Sequence, residues 1–139
     1  MNRLILTVGL PRSGKTTWAL KQECPVVSPD AIRLALHGRR FWEPGEKLVW
    51  AHAWTMVAAL FHAGHRTVIV DATHITKKRR DFWESPGMGD HPDSLIWEVH
   101  LQVIVADVEM CITRAKAQND NEIIPIIERM AAQAEWPGV

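Results

Sequence analysis

Residues 9–16 read Gly-Leu-Pro-Arg-Ser-Gly-Lys-Thr and follow a short apolar stretch at residues 3–8. The two glycines, the lysine and the threonine match the pattern G-x-x-x-x-G-K-[ST] at every fixed position. Glycines let such a loop close around a phosphate with its backbone N–H groups pointing inward, and a following helix adds its positive N-terminal end. The apolar stretch predicts a strand, and residues 15–23 predict a helix. We therefore expect a phosphate-binding loop between a strand and a helix.

Strand and helix patterns alternate along the rest of the chain. Further strands are predicted at residues 25–28, 67–71 and 95–105, and loops at 37–45 and 85–93. Helices are predicted at residues 29–36, 46–63, 76–84, 107–118 and 125–136. This alternation indicates an α/β protein with a parallel central sheet of about four strands flanked by helices. Together with the loop, it predicts a P-loop kinase fold with a small helical lid.

Length and composition exclude several classes of protein. The 139 residues suit one domain, expected to cover residues 1–139. Lysine and arginine number 16, as do aspartate and glutamate, which argues against binding nucleic acid through overall positive charge alone. No apolar run approaches the roughly 20 residues of a membrane-spanning helix. Two isolated cysteines do not form a disulfide framework, which indicates a reducing compartment. We therefore expect a cytoplasmic protein, and the lack of an apolar run predicts no membrane partner. The oligomeric state stays open.

The phosphate-binding loop predicts a site for ATP or GTP. Lys15 is expected to contact the β- and γ-phosphates, and Thr16 to ligate magnesium. No N-K-x-D motif follows, and the chain is short for a motor protein, so a small kinase that uses ATP and Mg²⁺ is favoured. The loop residues predicted to bind the nucleotide are Gly9, Pro11, Arg12, Ser13, Gly14, Lys15, Thr16 and Thr17.

A kinase also needs a base near the accepting hydroxyl and an acid near the metal. Asp30 follows the second predicted strand, and Arg33 lies one turn further along the same helix face. Asp71 ends the third predicted strand. Because the carboxyl ends of parallel strands line the ligand crevice, we expect Asp30 to take a proton, Arg33 to hold an acceptor phosphate and Asp71 to join Thr16 at the metal. The alternative for Asp30 is an aspartate that stabilises the start of a helix, and the alternative for Asp71 is an aspartate that forms a turn.

With these residues in place, the chain resembles the polynucleotide 5′-hydroxyl kinase family of P-loop phosphotransferases, the bacteriophage type in particular. The likeness rests on LILTVGLPRSGKTTWA, SPDAIR, VDATHITKKRR, and MCITRAKAQ followed by IIPIIERM. It implies that Asp30 is the general base, that Arg33 serves the acceptor and that Asp71 is the strand-end aspartate. It adds Arg114 as the nucleotide-facing, catalytic arginine of the lid. The implied activity is transfer of phosphate from ATP to a 5′-hydroxyl end of DNA or RNA, in nucleic acid repair.

Two positions depart from that family. Gln118 stands where the family has a second lid arginine, with Lys116 nearby. A neutral amide cannot place a positive charge on a phosphate, so either Lys116 substitutes or the lid works with one cation. His74 stands where the family has an asparagine.

Basic and aromatic residues supply further candidates for acceptor binding. Residues 77–80 read Lys-Lys-Arg-Arg, which indicates either contacts to a phosphate backbone or a solvated helix start. Trp42 is flanked by charge and a Pro-Gly turn and is a candidate for base stacking, whereas Trp50 and Trp54 are expected in the core. The residues predicted to bind the acceptor are Asp30, Arg33, Trp42, Asp71, Thr73, Lys77 and Arg80.

Two alternative functions stay open. One is a P-loop kinase for another hydroxyl, on a modified base in phage DNA, a nucleoside or a small metabolite. The other is a nucleotide-binding regulatory protein without turnover. Asp30 distinguishes the second alternative, because a protein that only binds nucleotide needs no base at that position.

Overall fold

The computed structural model describes residues 1–84 and 96–138, and strands and helices alternate along them. The strands described are β1 (Asn2–Val8), β2 (Val26–Val27), β3 (Thr67–Val70) and β4 (Trp97–Val103). The helices described are α1 (Lys15–Leu20), α2 (Pro29–His37), α3 (Glu46–His62), α4 (Lys77–Asp81), α5 (Val108–Ala117) and α6 (Ile123–Gln133), with a 3-10 turn at Glu43–Gly45. The loop predicted at residues 85–93 lies outside the described residues.

All four strands are parallel and lie in the order β2-β3-β1-β4. Strand β1 is central, since Leu6 pairs with Val70 on one side and with Leu101 on the other. Leu4, Leu6 and Val8 are fully buried, as expected for a strand covered on both faces. The predicted parallel α/β sheet is confirmed, and it brings the carboxyl ends of its strands to one edge.

Several elements differ in length from the prediction. Helix α1 ends at Leu20 rather than at residue 23, because Glu23 takes a φ of 55° that a right-handed helix excludes. Helix α6 begins at Ile123, two residues before Pro125, because proline is tolerated in the first turn of a helix. Helix α4 covers only Lys77–Asp81.

Local capping fixes the starts of the two helices that follow β2 and β3. The Ser28 hydroxyl accepts a hydrogen bond from the Ala31 N–H at 3.1 Å, with Pro29 in the first turn of α2. The Thr76 hydroxyl accepts one from the Arg79 N–H at 3.3 Å at the start of α4. Asp30 is therefore fixed in the first turn of α2, directly after β2.

Two apolar clusters hold the helices in place. In the larger one, α3 packs against β2 and β3 through Val49, Ala53, Val57 and Phe61, together with residues that include Trp83 and Trp97. Trp50 is buried there, and Trp54 packs against the cluster. The smaller one joins Leu10 of the phosphate-binding loop to α5 and α6 through Cys111, Ala115 and Ile127. Helices α5 and α6 therefore lie beside that loop, where the lid is expected.

Among the residues that the structure describes, no helix has the length and apolar character needed to cross a membrane.

Candidate active site

The loop between β1 and α1 needs both of its glycines. Gly14 is the N-cap of α1 and has a φ of 106°, which L side chains rarely adopt. A Cβ atom on Gly9 would lie 2.7 Å from the Ser13 hydroxyl and 3.1 Å from the Ile104 carbonyl oxygen. The loop therefore has the tight turn and left-handed position that expose backbone N–H groups to an anion.

Lys15 begins α1 and its side chain lies back over the loop. Its ammonium group is buried and donates a hydrogen bond to the Leu10 carbonyl oxygen at 2.7 Å. Burial lowers the pKa of Lys15, while the negative charges of Asp71 and Asp30 oppose that shift. The loop lysine and both predicted aspartates are thus close enough to interact electrostatically.

Thr16 and Asp71 meet at the end of β3. The Thr16 hydroxyl donates a hydrogen bond to the Asp71 carboxylate at 2.6 Å. Hydroxyl and carboxylate oxygens are ligands that Mg²⁺ prefers, and Mg²⁺ in such sites keeps several waters and substrate phosphates as further ligands. The donor set fits a magnesium ion, and within residues 1–84 and 96–138 no cluster of three or more His, Cys, Asp or Glu residues forms a denser metal cage.

Asp30 lies in the first turn of α2 with its side chain 83% exposed. Arg33 donates to it through Nη1 at 2.8 Å, as the i, i+3 spacing predicts. Arg33 also donates twice to Glu46 at the start of α3, through Nε at 2.9 Å and Nη2 at 2.8 Å. Sequence reasoning missed Glu46, and Arg33 is shared by two carboxylates rather than free for a phosphate.

Arg79 is a second arginine beside this group. Its guanidinium carbon lies 3.9 Å from the centre of the Trp50 ring, and that of Arg33 lies 5.9 Å from the same ring. Burial lowers the pKa of Arg79, with the charge of Glu46 opposing and that of Arg33 adding to the shift. The sequence marked the whole basic run 77–80 but did not single out this residue.

Arg80 is not available to an acceptor, which corrects the prediction. Its buried guanidinium donates to the His74 carbonyl oxygen at 2.8 Å and to the Glu135 carbonyl oxygen at 2.7 Å. These bonds use the side chain to hold the segment after α6 against the turn after β3. Lys77, by contrast, is exposed and pairs with Asp81 at 2.7 Å.

His74, which departs from the family pattern, lies in the turn after β3 and is held there by hydrogen bonds. His74 is buried, with Nδ1 lying 2.7 Å from the Thr7 carbonyl oxygen and Nε2 accepting from the Trp83 indole N–H at 3.2 Å. Burial lowers the pKa of His74 to about 4, so the ring is neutral. Because the Thr7 carbonyl oxygen can only accept and the Trp83 indole N–H can only donate, the proton of the neutral ring lies on Nδ1. The carbonyl oxygen of Thr73 accepts from the Gly9 N–H at 3.0 Å, which ties this turn to the loop.

The predicted lid arginine lies beside the loop. Arg114 Nη1 donates to the Arg12 carbonyl oxygen at 3.0 Å, and Gln118 and Lys116 are exposed at the end of α5. Just beyond them, Asp120 accepts hydrogen bonds from both Arg12 and Arg40. These bonds, from Arg40 foremost, lower the pKa of Asp120 to about 2. No local signal in the sequence marks this contact.

Trp42 lies in an exposed position after α2. The Trp42 ring meets the His37 ring edge-on, with 5.1 Å between the two ring centroids. The Arg39 guanidinium carbon lies 5.9 Å from the centroid of the Trp42 ring. The three side chains line an open cleft of about 160 Å³. The predicted stacking residue is thus accessible, with a cation at its ring.

Comparison with known proteins identifies the family. A family model described as an AAA domain matches residues 4–135. The chain belongs to this AAA domain family. No curated protein matches the AAA domain chain by sequence.

Three solved structures share the fold of this AAA domain. A chain of a Pnkp1/Rnl/Hen1 complex matches with a TM-score of 0.65 and 25% identity, over 81% of this chain and 38% of that one. A chain of the Pnkp1/Rnl/Hen1 RNA repair complex has a TM-score of 0.66 and 16% identity, over 96% of this chain and 46% of that one. A gluconokinase from Sinorhizobium meliloti 1021 has a TM-score of 0.59 and 15% identity, over 96% and 75%.

The AAA domain chain spans less than half the length of the two chains from the Pnkp1/Rnl/Hen1 complexes. The matches confirm the predicted P-loop kinase fold and the resemblance to a P-loop family of the polynucleotide kinase type.

Proposed function

We propose that this AAA domain protein transfers the γ-phosphate of ATP to a 5′-hydroxyl end of DNA or RNA. One observation carries the proposal: Asp30 is an exposed carboxylate in the first turn of α2, just past the carboxyl end of β2, and Arg33 holds one of its oxygens at 2.8 Å. A protein that only binds nucleotide has no need for such a base at the edge of the phosphate site.

The residues divide the work of phosphoryl transfer. Lys15 and the loop N–H groups hold the phosphates, and Arg114 lies beside the loop as a further cation. Thr16 and Asp71 would hold Mg²⁺, which when bound neutralises charge on the phosphate oxygens. Asp30 takes the hydroxyl proton as the acceptor oxygen bonds to the γ-phosphorus. The bond from that phosphorus to the β–γ bridging oxygen breaks, and ADP leaves.

A nucleic acid acceptor is supported by the surface at the C-terminal end of α2, the helix whose first turn contains Asp30. Trp42 with Arg39 offers an exposed aromatic face beside a cation, the combination on which single-stranded bases stack. The similarity at 25% identity to a chain of the Pnkp1/Rnl/Hen1 complex points the same way. The balanced charge of the whole chain is compatible with this, because such contacts are local.

The test is a panel of acceptors with labelled ATP and Mg²⁺. It includes 5′-hydroxyl DNA and RNA oligonucleotides, nucleosides, hydroxymethylated DNA and gluconate, each with the wild type and with Lys15→Met to expose any contaminating kinase. We expect label on 5′-hydroxyl ends with the wild type alone. Label confined to another hydroxyl, or ATP binding without any transfer, would overturn the proposal and favour one of the alternatives.

A further inference from the structure

We infer that Asp120 is a positioning residue for the transfer step, because it joins the end of α5 to the phosphate-binding loop and to the loop after α2. In that place it holds Arg114 of α5 beside the phosphates. The inference rests on the proposed function and adds to it a residue that touches neither reacting group. It predicts that the charge of Asp120 affects the reaction through Arg114.

Arg12 has a backbone conformation that does not suit an arginine. Its φ of 68° lies in the left-handed region, which disfavours L side chains but not glycine. A glycine would relieve this strain within the phosphate-binding loop but would offer no side chain to the neighbouring segments. Backbone strain at a phosphate site therefore points to a role for the Arg12 side chain.

That side chain and its carbonyl oxygen both contact the lid. The Arg12 Nη2 atom donates to the Asp120 carboxylate, and the Arg12 carbonyl oxygen accepts from Arg114 Nη1 at 3.0 Å. Asp120 is itself held at the end of α5, because its N–H donates to the Ala115 carbonyl oxygen at 2.9 Å. The two contacts of Arg12 therefore act together to set the position of α5 on the loop.

Arg40 brings a third segment to the same carboxylate. It donates through Nη1 to Oδ1 of Asp120 at 3.0 Å and through Nη2 to Oδ2 at 2.6 Å, which is a bidentate pair. The Arg12 Nη2 atom bonds to that same Oδ2 oxygen, and the Asp120 side chain is only 14% exposed. We call Arg12, Arg40 and Asp120 the lid clasp. It joins segments that follow β1, α2 and α5.

The lid clasp depends on the negative charge at its centre. It contains two guanidinium groups and one carboxylate, which separates the two cations. The hydrogen bonds from Arg40 and Arg12 hold the pKa of Asp120 at about 2, so the carboxylate is ionised near neutral pH. Without this charge the two guanidinium groups would repel each other. The loop and α5 would then move apart, and Arg114 would lose its place beside the phosphates.

The experiment compares Asp120→Asn, Arg114→Ala and the double variant with the wild type. One readout is kcat with a 5′-hydroxyl oligonucleotide. The other is calorimetric binding of a non-hydrolysable ATP analogue with Mg²⁺, which needs no acceptor. Asp120→Asn should lower kcat about 10- to 100-fold, the scale for a small misplacement of a catalytic group, and weaken analogue binding about tenfold. Because Asp120 acts through Arg114, the double variant should be no worse than Arg114→Ala alone.

Three further variants control this measurement. Glu122→Gln removes a carboxylate that lies 3.9 Å from Arg40 but is 92% exposed, so it should change both readouts less than about twofold. Asp120→Glu keeps the charge and should restore part of the activity. Arg12→Gly opens the lid clasp in a loop conformation that glycine favours, and it should lower kcat as Asp120→Asn does. It provides the test if Asp120→Asn does not fold.

Two results would overturn the inference. The first is an equal kcat for the Asp120→Asn and Glu122→Gln variants. The second is a double variant in which the separate losses of Asp120→Asn and Arg114→Ala multiply, which indicates a merely structural role. Analogue binding separates this inference from the proposed function. Binding that depends on Asp120 through Arg114, without transfer to any 5′-hydroxyl end, would refute the proposed function alone. Transfer to a 5′-hydroxyl end that ignores Asp120 would refute the inference alone.

Discussion

Glu46 binds Arg33 through two parallel hydrogen bonds, Oε2 to Nε at 2.9 Å and Oε1 to Nη2 at 2.8 Å. The two side chains are only 17% and 15% exposed. Burial opposes ionisation of Glu46, but the hydrogen bonds and charge of Arg33 outweigh it and lower the pKa of Glu46. The pair joins α2 to α3 and fixes the arginine that bonds to Asp30.

Glu46→Gln is expected to weaken both stability and turnover. Removing one partner of a partly buried ion pair should cost about 1–3 kcal/mol of unfolding free energy, less than for a fully buried pair because solvent still reaches it. Denaturant unfolding measures this, with Glu43→Gln as the control because Glu43 is exposed in the preceding turn. Equal stability of the two variants would show that the pair contributes nothing. With its pKa lowered, Glu46 stabilises the wild type above pH 4.5 and loses that effect as the pH falls through the native value.

Asp30→Asn should separate catalysis from nucleotide binding. The amide keeps the shape of the carboxylate but cannot accept the proton, so kcat should fall about 10²- to 10⁴-fold. KM for ATP should hardly change, because the Asp30 side chain is exposed and makes its described hydrogen bond to Arg33 rather than to the loop. Steady-state kinetics with both substrates measure the two effects. A variant that instead loses ATP binding would place Asp30 in the nucleotide half of the site.

His74 predicts a dependence of stability on pH. Burial lowers its native pKa from 6.5 to about 4, so between these values the unfolded chain binds more protons than the native protein. Stability should therefore rise with pH across this window, by about 3 kcal/mol at about 1.4 kcal/mol per pKa unit. Unfolding free energies at several pH values test this against His74→Asn, which has no titrating group there. The same slope in both proteins would assign the effect to other residues.

The lid should depend on Arg114 and little on Gln118. Arg114 lies against the loop and bonds to the Arg12 carbonyl oxygen, so Arg114→Ala removes a cation beside the phosphates and should lower kcat by about 10³-fold, as for an arginine finger. Gln118→Ala removes at most an ordinary hydrogen bond of about 0.5–1.5 kcal/mol. Gln118→Arg should leave the rate unharmed or raise it. The measurement is the steady-state kinase rate of the three variants at saturating ATP. A normal rate for Arg114→Ala together with a strongly reduced rate for Gln118→Ala would mean that the lid arginine is misassigned.

The local pattern of the sequence determined the frame of the site. The glycine and lysine spacing at residues 9–16, the buried apolar strands and the Ser28 cap are properties of neighbouring residues, so they could be predicted without the fold. They also placed Asp30 and Asp71 at strand ends, where a parallel sheet gathers its carboxyl ends.

Only the tertiary structure decided which charged groups are free. Arg79 and Arg80 are adjacent in sequence, yet they have different partners. Arg80 is buried and donates a hydrogen bond to the Glu135 carbonyl oxygen, whereas the guanidinium of Arg79 lies over the Trp50 ring. Likewise Arg33 meets Glu46 across two helices, and Arg12 meets Asp120 across 108 positions. Such pairings depend on which surfaces pack together, and no periodicity within one helix or strand encodes them.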